Sequence, residues 1–197
     1  RLRWHVAAVV TVLVLVAVAL GIAVAVPGIS FDGTADPIPG IPLPSGTPGL
    51  LALLALTVGT GVTVNALFAL GEEFGWRGYL LWELAPLGFW RASGGIGFLW
   101  GVWHAPVILG GYNYPSFPLV GVAAMTAATV AFSPLYTYFV LRARSVLAAG
   151  FFHGVFNAAG GTLLVYTDAT DSALGELVAN PVGLAGIVAF VLATASL

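Results

Sequence analysis

The chain has 197 residues, 59% of them hydrophobic and only 7% charged, with a mean hydropathy of +1.02. A soluble domain carries about 25% charged residues, so this chain cannot cover its surface with polar groups and lipid must surround most of it. Cysteine is absent, which excludes disulfides and thiolate chemistry, and no nucleic-acid partner is expected.

Apolar stretches of about 20 residues, each enough to cross a bilayer core of roughly 30 Å, predict spans at about 6–26, 50–71, 95–111, 118–141, 146–166 and 182–197. The expected fold is all-α: a polytopic transmembrane helical bundle with about six spans, one membrane-embedded domain over residues 1–197. In the first span, Ala23-Val24-Ala25 resembles a signal-peptide cleavage site. Its apolar core of about twenty residues exceeds the usual 7–15, so a retained span is expected. Arg1 in place of Met, and an end inside an apolar run, read as a piece trimmed from a longer protein.

Residues 27–49 hold six of the twelve prolines and read as an exposed loop. Its acids, Asp32 and Asp36, share one side with Asp168, Asp171 and Glu176. All six arginines fall on the other side: Arg1, Arg3, Arg77, Arg91, Arg142 and Arg144. The positive-inside rule puts that side, and the N-terminus, in the cytoplasm of a cell-membrane protein. Trp82 and Trp90 on the arginine side, and Tyr112, Tyr114 and Tyr166 on the other, suit interfacial belts. His5, beside the first span, is expected to be interfacial and without a role.

Ionisable groups inside spans are costly and mark function by default. In GEEFGWRGYL (71–80), two adjacent carboxylates, Glu72 and Glu73, close the second span. His104 lies about ten residues into span three, and His153 about eight into span five with Asn157 one turn on. At 1.5 Å per helical residue, both histidines sit roughly 12–15 Å from the arginine-bearing ends of their spans. If span two continues as helix to about Trp82, the Glu pair reaches the same layer.

The two carboxylates differ in what they can reach. Glu73 and Arg77 are spaced i, i+4 with the acid first, the favourable order for an ion pair. Glu72 is rotated about 100° away. Glu73 is therefore assigned to structure with Arg77, and Glu72 to chemistry; the alternative makes Glu72 a second partner of Arg77. His153 and Asn157 share a helix face, where Asn157 can orient the imidazole or donate to an oxyanion. A lone intramembrane His can also merely bond across helices. Trp100, one turn before His104, packs either over that ring or in the core, and Pro106 leaves the Val102 carbonyl without a donor, which should bend span three at His104. Glu72, His104, His153 and Asn157 are expected to line one polar cavity opening on the arginine-bearing side.

Taken in order, Glu72-Glu73-x-x-x-Arg77, Trp100-x-x-x-His104 and His153-x-x-x-Asn157 resemble the CPBP family of CAAX proteases and bacteriocin-processing enzymes, also called the Abi or type II CAAX prenyl endopeptidase family. The family's pattern is EExxxR, [FY]xxxH and HxxxN; the departure is Trp100, where Phe or Tyr is more usual. The likeness covers about residues 50–166, the expected catalytic core. It implies an intramembrane endopeptidase in which Glu72 and His153 activate a water while His104 and Asn157 steady the oxyanion. The substrate it implies is a peptide or membrane protein, lipidated in the CAAX case, met among membrane lipids. Two routes fit the residues. Glu72, His104 and His153 make a catalytic zinc set with a position left for water, and the family is commonly labelled a metalloprotease. A metal-free route uses Glu72 as general base.

Two other classes share some of these features. An ion-coupled transporter also places Glu and His at mid-depth, but it usually shows inverted repeats or matched broken helices, and the chain has neither. A non-catalytic immunity or scaffold protein of the same fold would tolerate Glu72→Gln.

Overall fold

The computed structural model describes residues 1–33 and 43–197, with the backbone alone at 162 and 163. Among these residues the chain is an all-α bundle of helices α1 (Leu2–Val24), α2 (Thr47–Leu87), α3 (Phe89–Leu109), α4 (Pro118–Ala143), α5 (Leu147–Val165) and α6 (Leu174–Thr194). Five of these, all but α5, are long and apolar enough to cross a membrane, counting described residues only. Of the proline-rich loop at 27–49, residues 34–42, with Asp36, lie outside the described residues.

Helix α2 does not end near residue 71. It runs for 41 residues, about 60 Å at 1.5 Å per residue, and so carries Glu72 and Glu73 in its interior. Two stretches inside it, Gly61–Asn65 and Phe74–Leu80, are π-helical, a local widening often found at functional sites. Helix α3 is interrupted at His104, whose N–H bonds to the Gly101 carbonyl, and restarts over Ala105–Leu109. Pro106 is the cause, since it has no N–H for the carbonyl one turn back. Helix α6 begins earlier than its apolar stretch, with a π turn at Leu174–Ala179, and becomes regular again only at Leu184–Thr194.

Strands β1 (Ile29–Phe31) and β2 (Thr167–Ala169) pair antiparallel, Ser30 opposite Asp168, and tie the two acid-bearing loops together. Three residues per strand are too few for alternation to show, so the sequence reads as loop at both places. Tyr114, expected at a membrane interface, is instead wholly buried. Its hydroxyl donates to the Val182 carbonyl at 2.8 Å, and burial pushes the phenol pKa up, so it stays a donor. An aromatic followed by a loop looks interfacial in sequence; its partner lies 68 residues away.

Small residues let the helices approach closely, as membrane interiors require in the absence of a hydrophobic drive between helices. A Cβ on Gly101 of α3 would lie 2.5 Å from the Thr126 Cα of α4. One on Gly154 of α5 would lie 2.3 Å from the Gly61 carbonyl oxygen and 2.5 Å from the Ala66 nitrogen in α2. Through these contacts α3 packs on α4, while α5 packs on α1 and on the middle of α2. Gly154→Ala should therefore destabilise by about 1–3 kcal/mol or more, because backbone on both sides cannot yield. Gly59→Ala, where a Cβ meets nothing within 4 Å, should be neutral. Thermal unfolding in detergent compares the two; equal midpoints would contradict the close approach.

Candidate active site

Four helices each bring one part of a polar cluster to a common layer. Helix α2 supplies Glu72, Glu73 and Arg77; α3 supplies Trp100 and His104; α4 supplies Ser133 and Tyr136; α5 supplies His153 and Asn157. Glu73 and Arg77 are both 0% exposed. Arg77 Nη1 donates to both Glu73 oxygens at 3.1 Å, and Nη2 donates to Ser133 Oγ at 3.1 Å. The guanidinium sits in a corner formed by two aromatic rings, its Cζ 4.3 Å from the Tyr136 centroid and 4.6 Å from that of Trp100. Cation–π attraction gains strength in such a dry setting.

Glu73 does more than neutralise Arg77. Its Oε1 is 3.0 Å from His153 Nδ1, which links the ion pair to the imidazole. The Glu73 oxygen, paired with Arg77, is the acceptor, so Nδ1 carries the hydrogen and, in the neutral ring, Nε2 on the opposite edge keeps its lone pair. His104 is fixed in the same tautomer by other means. Its Nδ1 lies 2.7 Å from the Trp100 carbonyl oxygen, again an acceptor only, so in the neutral ring Nε2 is bare here too.

These tautomers bear on the roles that the family resemblance implies. A neutral His104 with a bare Nε2 accepts a hydrogen bond but cannot donate one. It can therefore steady an oxyanion only after taking up a proton. Asn157, exposed on the same face of α5 as His153, carries an amide NH2 that donates without any change of charge.

Glu72 is half-buried, and its Oε2 accepts the Trp100 indole N–H at 3.0 Å. It makes no bond to Arg77, so the two adjacent carboxylates have separate partners. Trp100, His104, His153 and Asn157 line one cavity of about 310 Å³. Glu72 is not among its lining residues; it joins the cavity wall through the Trp100 indole N–H.

The cavity runs from the two histidines toward Asn113, at the α3–α4 turn, and Asn180, at the break in α6. That is the end opposite the arginines, not the arginine-bearing side on which the opening was expected. The reason lies in the packing. Toward the arginines the layer is filled by Glu73, Arg77 and Tyr136, all fully buried. Beyond the histidines, α3 leans on α4 and α5 on α1 and α2, and the space between them stays open. His5 stays apart from this site, its ring packed edge-on against Phe151 at 5.9 Å.

Among the described residues no three His, Asp or Glu side chains come together in a way that could hold a metal ion. Two bare Nε2 atoms with their Nδ1–H groups tied down suit metal ligation. Glu72, the third member of the expected zinc set, does not converge with them among the described residues.

The family model for type II CAAX prenyl endopeptidase Rce1-like proteins matches residues 46–159, more than half of the chain, a stretch that holds Glu72, Glu73, Arg77, Trp100, His104, Ser133, Tyr136, His153 and Asn157. The chain belongs to this Rce1-like family, which is a family of membrane proteases, and with its apolar helices it is a membrane protein. Neither the curated proteins nor the solved structures compared with the chain gave a match.

Two outcomes test this geometry. Arg77→Ala would strand the Glu73 carboxylate in the core, a loss of about 3–5 kcal/mol for a broken buried pair. Little folded protein should accumulate in the membrane; normal accumulation with only turnover reduced would make Arg77 a direct participant instead. The absence of native cysteine allows a second test with single cysteines. Met125, a cavity residue, replaced by cysteine should react with a charged, membrane-impermeant thiol reagent from the side that bears Asp168. Labelling only from the arginine-bearing side would contradict the course of the cavity.

Proposed function

We propose that the chain is an intramembrane endopeptidase that hydrolyses a peptide bond with a water activated by Glu72 and His153. The observation that carries this reading is the chain of contacts Arg77–Glu73–His153, which fixes the imidazole tautomer and leaves Nε2 as an acceptor facing a cavity. Glu72 supports it, with Oε2 held by the Trp100 indole and Oε1 left for a water.

In the proposed reaction, Glu72 takes a proton from the water while His153 Nε2 accepts its second hydrogen and aligns the oxygen lone pair with the substrate carbonyl. The oxygen adds to the carbonyl carbon, and negative charge builds on the former carbonyl oxygen. Asn157 donates to that oxyanion, joined by His104 when its ring is protonated. As the C–N bond breaks, Glu72 returns the proton to the leaving nitrogen. The negative charge of Glu73 behind His153 holds the ring in place and favours any positive charge that develops on it, as a carboxylate does behind the histidine of hydrolytic triads.

A cavity of about 310 Å³ lies at the small end of the roughly 300–1,000 Å³ range of ligand sites. It suits a short extended stretch of peptide or of a membrane protein rather than a folded partner. A lipid chain on a CAAX-type substrate would lie along the lipid-facing helices. Hydrolysis is proposed as metal-free because Glu72, His104 and His153 do not close on one another as a metal site among the described residues, whereas a water bridges a carboxylate and an imidazole at hydrogen-bond length.

Glu72→Gln keeps size and much of the hydrogen bonding while removing the base. Cleavage should fall by two to four orders of magnitude, with expression and thermal stability near wild type. His153→Ala should be as severe, since groups acting on one water fail together. Asn157→Ala should leave residual activity, one oxyanion donor being worth about 3–4 kcal/mol. A strong zinc chelator should have no effect; inhibition reversed by added zinc would overturn the metal-free assignment. Full biological function of the Glu72→Gln protein in its own cell would replace the hydrolase with a membrane scaffold.

A further inference from the structure

Trp100 meets four members of the site, each with a different part of the residue. Its indole N–H donates to Glu72 Oε2 at 3.0 Å. Its backbone carbonyl accepts from His104 Nδ1 at 2.7 Å. Its ring face receives the Arg77 guanidinium at 4.6 Å, and the ring stands near edge-on to His153, centroids 5.3 Å apart. The residue is 3% exposed, wedged where α3 packs on α4 through Gly97 and Gly101.

A phenylalanine at this position would keep three of these contacts: the carbonyl, the ring face and the ring edge. Only the N–H would be lost, and a tyrosine hydroxyl would project along another direction. The N–H is also the one protein partner that Glu72 has among the described residues. A half-buried glutamate on a helix surface otherwise samples several rotamers, and Arg77, the nearest cation on its own helix, is taken by Glu73.

We propose that Trp100 is a positioning residue whose indole N–H holds the Glu72 carboxylate in one orientation against the cavity wall. With Oε2 bound to the indole, Oε1 is the oxygen left for the water. The same residue fixes the His104 tautomer through its carbonyl, so one side chain and its backbone set the base and one imidazole together. The effect on catalysis rests on the hydrolase reading; the contact itself does not.

The test replaces Trp100 with benzothienylalanine, in which sulfur stands where the N–H was and the ring shape is kept. Expected are a fall in kcat of about 10- to 100-fold, the worth of one hydrogen bond to a charged group, an unchanged KM and a melting temperature near wild type. In a Glu72→Gln background the same replacement should cost nothing further. Trp100→Phe supplies a second variant, with the same kcat loss, should the analogue incorporate poorly.

A spectroscopic arm is independent of turnover. The ultraviolet resonance Raman signal of the Trp100 indole N–H, isolated as wild type minus Trp100→Phe, should report a hydrogen-bonded group in the wild type and a free one in Glu72→Ala. An identical signal in both, or full kcat in the sulfur analogue, overturns the proposal. A shift of the signal in a wild-type protein that cleaves no substrate supports the contact and overturns the hydrolase reading instead.

Discussion

The buried Arg77–Glu73 pair is the constraint on which the rest of the site depends. Removing two charges from water costs several kcal/mol for each, and their mutual attraction offsets that only when the remaining hydrogen-bonding capacity is met. Here the carboxylate is met by Nη1 and by His153; of the guanidinium, Nη1 meets Glu73, Nη2 meets Ser133 and two aromatic faces cover the group, while its buried Nε has no hydrogen-bond partner among the described residues. The outside partners come from three further helices, Trp100 from α3, Ser133 and Tyr136 from α4 and His153 from α5, so the pair fixes the mutual position of α2, α3, α4 and α5. A buried ion pair is weak evidence for stability in general. Its value in this molecule is positional, because the same carboxylate that neutralises Arg77 also orients His153.

From that arrangement follows a division between a filled and an open half of the bundle. The layer toward the arginines is occupied by large fully buried side chains, Arg77 and Tyr136 among them. Glycines bring α3 against α4 and α5 against α2, and the two packed units leave a gap between them on the other half. The histidines stand at the boundary, each with Nδ1 turned into protein and Nε2 left to the gap. Such a boundary is where hydrolysis inside a membrane is feasible: fixed polar groups lie on one side, and room for water and a peptide on the other.

Much of this was legible in the chain. Length and apolarity place the first, third, fourth and fifth helices to within several residues, but not the end of α2 or the start of α6, and the i, i+4 spacing of Glu73 and Arg77 distinguishes them from Glu72 without reference to any other helix. Pro106 marked the interruption at His104 by a local rule about a missing N–H. The second span was harder, because Glu72, Glu73 and Arg77 look like the end of an apolar run although they lie in the interior of a longer helix. The burial of Tyr114 and the β1–β2 ribbon leave no local mark, because both depend on partners far away in sequence.

What the sequence by itself determined is what rests on neighbours within about one turn or on summed apolarity: helices in lipid, the ion pair, and the spacing that sets His153 and Asn157 on one face. Only the tertiary structure decided which atoms those residues would meet. That Trp100 binds Glu72 and that Glu73 also binds His153 are contacts between residues 28 and 80 positions apart, and the course of the cavity likewise depends on packing between helices. No periodicity encodes them, because they depend on how far each helix is rotated and how closely its glycines let it approach the next.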